Sequence, residues 1–286
     1  MENIEQALQA LDEVRAFLVK QLPPAPGLCD LAQSDQWPQA IDPTELADED
    51  SVDSLLIRAD TIIGFLLPDD LVGKKILDFG CGNGLVASRC ADNGATAVGY
   101  DVNPITLDYG FSPSVVLTQD LGVVAEKAPF DIVILYDVLD HAVGATPVDL
   151  LKQIKQFASD QTQIVVRTHP WTSPHATHLC KKLNKAYLHL VFSDAELAGM
   201  GLANQPTLKV IHPLSEYRKW FADAGLTVVQ ETAATDRVPD FFAQNKAVAA
   251  KIKSHFKQSP YANLASGRDF PTQQLGIHFV DYLLKI

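Results

Sequence analysis

The sequence predicts an α/β domain in which seven strands form a doubly wound, mostly parallel sheet with helices on both faces. Two observations predict it. Short apolar strands alternate with amphipathic helical segments from residue 75 onward, and a glycine-rich turn follows the first of those strands. Alternation of this kind builds a parallel sheet because each parallel pair of strands needs a crossover connection.

Composition fits such a domain. A chain of 286 residues that is 47% hydrophobic and 20% charged buries a full core, which excludes a disordered or fibrous protein. Its net charge of −12 makes nucleic acid an unlikely partner without excluding it. The sequence has no signal run and no uncharged apolar stretch of 18 residues, so we expect a cytoplasmic protein without a membrane partner. Four cysteines without paired spacing favour a reducing compartment.

The first 48 residues are predicted to be an N-terminal helical extension and linker. An apolar stripe over residues 1–22 indicates a helix, and the Pro- and Asp-rich stretch 23–48 indicates a long connection. The remaining residues, 49–286, are then the main domain. It opens with a second helix over residues 52–66, which ends before Pro68.

The main domain is expected to contain seven strands and several crossover helices. The strands are predicted at 75–79, 95–100, 115–118, 130–135, 163–167, 226–231 and 277–285. The helices are predicted at 85–93, 147–158 and 214–224. Residues 168–212 and 232–275 are much longer than the usual connection of about 4 to 6 residues, so we expect both insertions to cover a substrate.

The glycine-rich turn carries the main functional signal. In Asp78-x-Gly80-x-Gly82-x-Gly84, the glycines let the backbone approach a ligand closely. The carboxylate at the end of the strand repels a pyrophosphate but can hold an ammonium group. The pattern therefore favours a nucleoside that bears an amino acid over a dinucleotide, and it disfavours a nicotinamide dehydrogenase.

Two more carboxylates follow the next strands. Asp101 lies 21 residues after Gly80, which is the spacing at which a carboxylate accepts ribose hydroxyls. Asp120 follows the third strand and can accept a hydrogen bond from an adenine amino group, with Leu121 against the ring.

Three segments resemble motifs of the class I methyltransferases that use S-adenosylmethionine (SAM). They are ILDFGCGNG, AVGYDVNP and FDIVILYDVLDHA, and the third departs mildly from the family by having Asp140 before His141. The segment FVDYLLKI is similar to the last strand of that family, which inserts antiparallel beside strand six. The resemblance spans roughly residues 50–286, apart from the two insertions.

The resemblance implies SAM as the methyl donor and S-adenosylhomocysteine (SAH) as the product. It also implies a set of cofactor-binding residues, with Tyr136 near the sulfonium and among the catalytic candidates. The set is Asp78, Gly80, Cys81, Gly82, Gly84, Asp101, Val102, Asp120, Leu121 and Tyr136.

Candidates for acceptor chemistry follow strand five. A sulfonium methyl group is already activated, so a base is needed only if the acceptor holds its proton. His169 is the first choice for that base and His141 the second, because histidine titrates near neutral pH. Histidines that only hydrogen-bond loop backbone are the alternative. Arg167 pairs either with a substrate anion or with an aspartate such as Asp137, and Trp171 either stacks on a planar acceptor or fills the core.

Two weaker signals remain. His169, His175, His178 and Cys180 supply zinc ligand types within twelve residues, but their spacing matches no known zinc motif, so we expect no metal. The basic segment 246–257 is interpreted as a solvated helix face, with a phosphate-bearing acceptor as the alternative.

The sequence therefore predicts a SAM-dependent methyltransferase that acts on an oxygen or nitrogen atom of a small molecule, as a monomer or homodimer. An RNA or protein acceptor is one alternative. A non-catalytic SAM-binding partner protein is another, because its cofactor motif would be identical.

Overall fold

The computed structural model describes residues 27–43, 51–67, 70–107, 109–141, 146–176, 179–202, 212, 214–258 and 275–286. The helix predicted over residues 1–22 lies outside these residues. The chain divides into two compact units, Met1–Trp37 and Pro38–Ile286. In the first unit, Leu28–Gln33 forms a short helix, α1, within the stretch that the sequence predicted to be an irregular connection. This helix starts where the Leu31 amide donates to the Gly27 carbonyl at 2.9 Å.

The second unit is built on one seven-stranded sheet. The strands are β1 (Lys75–Phe79), β2 (Thr96–Tyr100), β3 (Val115–Thr118), β4 (Ile132–Tyr136), β5 (Gln163–Thr168), β6 (Thr227–Thr235) and β7 (Ile277–Lys285). Their order in the sheet is β3-β2-β1-β4-β5-β7-β6. The pairs from β3 to β5 are parallel, whereas β7 runs antiparallel to both of its neighbours, β5 and β6. The predicted fold class is confirmed, including the antiparallel last strand.

The helices of this unit precede, connect and follow the strands. They are α2 (Val52–Leu66), α3 (Leu85–Asp92), α4 (Leu121–Lys127), α5 (Pro147–Lys155), α6 (Leu188–Val191), α7 (Asp194–Gly199), α8 (Leu214–Asp223), α9 (Asp240–Gln244) and α10 (Lys246–Gln258). None of the helices within the described ranges is long and apolar enough to cross a membrane.

The two faces of the sheet carry separate hydrophobic cores. Successive residues of a strand point to opposite faces, so Leu77 belongs to one core and its neighbour Ile76 to the other. Helices α5 and α8 contribute Leu151 and Trp220 to the first core, and α3 contributes Cys90 to the second. Helices therefore cover both faces, as a doubly wound sheet requires.

Several boundaries differ from the prediction. Helix α4 was not predicted, although Asp120 caps it by accepting a hydrogen bond from the Gly122 amide. Strand β6 was predicted to end at Glu231 but continues to Thr235, because it pairs with β7 along its whole length. The two insertions also contain helices, namely α6 and α7 in the first and α9 and α10 in the second.

Truncation of a core side chain on β4 is expected to destabilise the fold. Ile134 is fully buried, so Ile134→Ala should lower the free energy of unfolding by about 2–5 kcal/mol through lost burial and a cavity. Ile57 on α2 is 68% exposed, and Ile57→Ala is the matched control, expected to change stability by no more than about 0.5 kcal/mol. Urea unfolding of both variants measures this, and equal effects would contradict the assignment of Ile134 to the core.

Candidate active site

The glycine turn after β1 needs glycine at its first position. Gly80 has a φ of 80°, and a Cβ atom there would lie 2.6 Å from the Val138 side chain. The Gly80 and Cys81 amides both donate to the Tyr100 carbonyl, at 2.7 and 3.0 Å. These hydrogen bonds hold the turn against the end of β2, and Asp101 is the residue that directly follows this strand.

Asp101 lies directly beside this turn. One of its carboxylate oxygens accepts a hydrogen bond from the Gly82 amide at 2.9 Å, and the other accepts from the Asn103 amide at 2.8 Å. Each carboxylate oxygen has a second lone pair, so the group can still accept from a ligand hydroxyl. Gly82 has a φ of 52°, and the space where its Cβ would lie is open to a distance of 4 Å. The turn thus leaves room for a ligand against its backbone.

Asp78 is buried at the end of β1 and is 3% exposed. Its Oδ2 atom has no hydrogen-bond partner among the described residues. Burial, with a smaller contribution from the nearby Asp101 charge, raises the pKa of the Asp78 carboxyl to about 7. A buried carboxyl in this state gains from a cationic ligand, because a cation stabilises its ionised form.

A cavity of about 280 Å³ lies where the loop after β2 meets the end of β3. Its volume is close to the lower end of small-molecule pockets, roughly 300 Å³. The lining residues are Pro104, Ile105, Phe111, Leu117, Thr118 and Gln119. These residues were not predicted from the sequence, although Gln119 directly precedes Asp120. The Gln119 side-chain amide donates to the Val102 carbonyl at 3.0 Å and links the loop to the end of β3.

The other predicted cofactor residues have additional or different partners. The Asp120 Oδ1 atom caps α4 at 2.7 Å from the Gly122 amide, and Leu121 packs against the first core. The Cys81 thiol is buried, and its sulfur would lie 3.0 Å from a Cβ on Gly99 of β2. Burial also raises the pKa of that thiol. Val102 is 74% exposed.

On the acceptor side, His169 forms a close pair with Asp137. Its Nδ1 atom lies 2.6 Å from Asp137 Oδ1, and the Asp137 backbone adopts a φ of 55° at the end of β4. Burial lowers the pKa of His169, but the charges of Asp137 and Asp140 outweigh it, so the pKa is raised. The pair sits at the carboxyl ends of β4 and β5, which is where open α/β sheets bind their ligands.

Arg167 pairs with an aspartate, which is one of its two expected kinds of partner, but this aspartate is Asp281 and not Asp137. Its guanidinium forms two hydrogen bonds with Asp281 of β7, at 2.6 and 2.7 Å, whereas Asp137 pairs with His169. The guanidinium also lies 3.8 Å from the centre of the Phe279 ring and 5.5 Å from that of Tyr136. Arg167 is only 5% exposed, so little of its side chain is accessible to a substrate.

Trp171 and Asp140 are buried beside this region. Trp171 is 3% exposed, which agrees with the core alternative and not with stacking on an acceptor. Asp140 accepts hydrogen bonds from the Thr168 hydroxyl at 2.9 Å and from the Tyr217 hydroxyl. Burial, aided by the Asp137 charge, raises the pKa of Asp140 to about 7. The structural role of Asp140 was not predicted, since the sequence showed only its departure from the family motif.

The remaining histidines do not share one environment. His141 lies on the surface at the end of the turn after β4. His189 bonds to the Trp171 carbonyl at 2.7 Å, as the backbone-bonding alternative expected. His212 packs against Trp220, with 4.6 Å between the ring centres.

The proposed zinc ligand set is only partly brought together. His169 and His175 are neighbours, with 5.1 Å between their ring centres, but His278 from β7 joins them. Cys180 is buried and is not part of this group, and His178 lies outside the described residues. His278 was not predicted to belong to this group, because more than 100 residues separate it from His175.

The basic segment 246–257 forms most of α10. Lys251 makes an ion pair with Glu196 of α7, which agrees with the solvated-face interpretation.

Comparison with known proteins decides the family. Residues 56–231 match the family model of a methyltransferase domain, which is more than half of the chain. The chain belongs to this methyltransferase family. The prediction of a SAM-dependent methyltransferase of class I is thereby confirmed, together with its fold.

Named relatives of this methyltransferase include O-methyltransferases. It is 28% identical to the ubiquinone biosynthesis O-methyltransferase of Pseudomonas syringae pv. tomato over 174 residues, which cover 56% of this chain and 67% of the relative. It is 45% identical to the magnesium-protoporphyrin O-methyltransferase of Rhodobacter capsulatus over 42 residues, or 15% and 19% of the two chains. A solved SAM-dependent methyltransferase from Archaeoglobus fulgidus is 14% identical, with a TM-score of 0.46, over 86% of this chain and all of the other.

Proposed function

We propose that this methyltransferase transfers a methyl group from SAM to a hydroxyl oxygen of a small molecule, and that His169 takes the acceptor proton. The observation that carries the proposal is the Asp137–His169 pair at the carboxyl ends of β4 and β5. The O-methyltransferase names of its relatives favour oxygen over nitrogen as the acceptor atom. A net charge of −12 favours a small acceptor over RNA.

The residues around the glycine turn fit SAM. When bound, SAM supplies a methyl group on a positively charged sulfur. The unpartnered Asp78 Oδ2 is suited to the ammonium of its amino acid portion. Asp101 is suited to the ribose hydroxyls, and the cavity lined by Ile105 and Phe111 to the adenine.

Asp137 prepares His169 to act as a base. The Nδ1–H of a neutral imidazole donates to the Asp137 carboxylate, so the lone pair is left on Nε2, where it accepts the proton of the acceptor hydroxyl. The carboxylate then stabilises the imidazolium that forms. Arg167 acts as a positioning residue, because its charge is matched by Asp281 while it holds the ring of Tyr136. His141 remains the second choice for the base.

Product analysis tests this proposal. Purified protein is incubated with SAM and a panel of phenols, carboxylic acids, amines and RNA, and SAH is measured together with the mass of each product. We expect SAH and an O-methylated small molecule. A product methylated on nitrogen or RNA would overturn the acceptor assignment, and binding of SAM without SAH formation on any acceptor would favour the non-catalytic alternative.

The affinity for SAM is expected to depend on pH through Asp78. In the free protein the carboxyl has a pKa of about 7, and a bound ammonium favours its ionised form. At low pH the Asp78 carboxyl is protonated, and this proton must leave when SAM binds. We therefore expect SAM to bind roughly tenfold more weakly at pH 5.5 than at pH 7. Calorimetry of wild type and Asp78→Asn measures it, with Asp131→Asn as the control. An Asp78→Asn variant that keeps the same pH dependence would exclude this role.

A further inference from the structure

Three histidines from two distant segments of the chain meet beside the end of β5. His169 follows β5, His175 lies in the loop after it, and His278 comes from β7. One ring nitrogen of each lies within 4.8 Å of the other two. Their ring centres are 4.6 to 5.8 Å apart, and all three side chains are partly exposed. We call these residues the histidine cluster.

Two carboxylates fix the orientation of the cluster. Asp137 accepts from Nδ1 of His169 at 2.6 Å, and Asp236 accepts from Nδ1 of His278 at 2.7 Å. When these rings are neutral and their hydrogen is on Nδ1, each Nε2 carries a lone pair. A carboxylate behind the ring is the arrangement that orients histidines bound to metal ions.

The third histidine supports the same interpretation. His175 and His278 are in contact through their Nε2 atoms. Two ring nitrogens that face each other repel through their lone pairs unless a proton or a cation lies between them. In the structure this contact is a hydrogen bond between the two rings, and a cation in place of its proton would be bound by the same two nitrogens.

We propose that the histidine cluster binds one divalent transition-metal ion, with zinc as the reference ion. Three imidazole ligands suit zinc and its neighbours better than magnesium or calcium, which prefer oxygen. The two carboxylates balance the charge of the ion, and the nearby Arg167 is already paired with Asp281. Zinc–nitrogen bonds of about 2.0–2.1 Å require ligand nitrogens closer together than 4.8 Å, so the rings must adjust their positions on binding. The fourth position is left for water or another small ligand.

A metal ion in the histidine cluster would interfere with the proposed reaction. The lone pair of His169 that binds the ion is the one that accepts the acceptor proton. The two uses exclude each other, so we expect bound zinc to inhibit methyl transfer.

Zinc titration of chelator-treated protein tests the site. We expect one ion per chain in competition with a chromophoric chelator. His175→Ala and His278→Ala should each weaken binding at least 100-fold, and Asp236→Asn 10- to 100-fold. His212→Ala removes a histidine outside the cluster and should leave the affinity unchanged. Zinc affinity that is equal in the wild type and the two cluster variants would overturn the site.

Cobalt substitution gives a second readout that does not depend on activity. A tetrahedral nitrogen site gives Co²⁺ strong visible absorption, expected in wild type and lost in His278→Ala. Circular dichroism checks that each variant is folded. If an alanine variant does not fold, Asp236→Asn replaces it in the test, because the Asp236 side chain is 65% exposed and its substitution should not disturb the fold. Zinc that binds to the cluster and stimulates turnover would overturn the role of His169 as a base and leave the metal site standing. Absence of cobalt absorption in folded wild type would overturn the metal site alone.

Discussion

Replacement of His169 with alanine is expected to lower kcat for the methylated acceptor by about 10²- to 10⁴-fold. The variant loses the only group that we assign to removal of the acceptor proton, whereas Asp78 and Asp101 on the cofactor side are unchanged. We therefore expect the affinity for SAM to stay within about twofold of wild type. SAH formation in the presence of a chelator measures the rate, and calorimetry with SAM measures the affinity.

Two further variants make the result specific. His212→Ala removes a histidine that packs against Trp220 and is not part of the Asp137–His169 pair, so it should keep full turnover. Asp137→Asn keeps a side chain of similar size but removes the charge that stabilises the imidazolium, so its loss of rate should be smaller than that of His169→Ala. Full turnover by His169→Ala would show that alignment of the acceptor alone accounts for the reaction, or that His141 serves as the base.

Replacement of Asp101 with alanine is expected to weaken SAM binding about 100-fold. Each hydrogen bond to a charged group contributes about 1.5–3 kcal/mol, and the variant loses those proposed for the ribose hydroxyls. It also releases the Gly82 amide, which Asp101 holds at 2.9 Å, so the glycine turn loses part of its support. Calorimetric titration with SAM and with SAH measures both losses.

The matched control lies at the opposite ends of the strands, where they begin. Asp131 precedes β4, and its carboxylate also accepts from a backbone amide, that of Lys75, at 2.8 Å. Asp131→Ala therefore removes the same group and one comparable hydrogen bond, far from the carboxyl ends of the strands. Its SAM affinity should be unchanged. Equal affinities in the Asp101 and Asp131 variants would exclude Asp101 from the ribose site.

The cofactor side was predictable because its signal is local. The glycine turn follows β1 without interruption, and Asp101 and Asp120 come directly after the next two strands. In a parallel sheet the carboxyl ends of neighbouring strands meet at one edge, so these residues converge whatever the rest of the chain does. The cavity was missed because its lining side chains, such as Ile105 and Phe111, form no regular pattern in the sequence.

The acceptor side was less predictable because its partners are distant in sequence. Arg167 and His169 meet Asp281 and His278 only because β7 pairs with β5. Hydrophobic alternation predicts that β7 exists, but it does not give the register that places Asp281 opposite Arg167. From the sequence alone, Asp137 was a plausible ion-pair partner for Arg167. In the structure, Asp137 pairs with His169 instead.

The position of β7 constrains how this protein is assembled on the ribosome. Strand β7 separates β5 from β6, yet it is synthesised after both. Until residues 277–285 emerge, β5 presents an unpaired edge and Arg167 lacks its counter-ion, while β6 has no neighbour in the sheet. An unpaired hydrophobic edge favours aggregation. We therefore expect deletion of residues 277–285 to lower the yield of folded protein far more than the length of the deleted segment suggests.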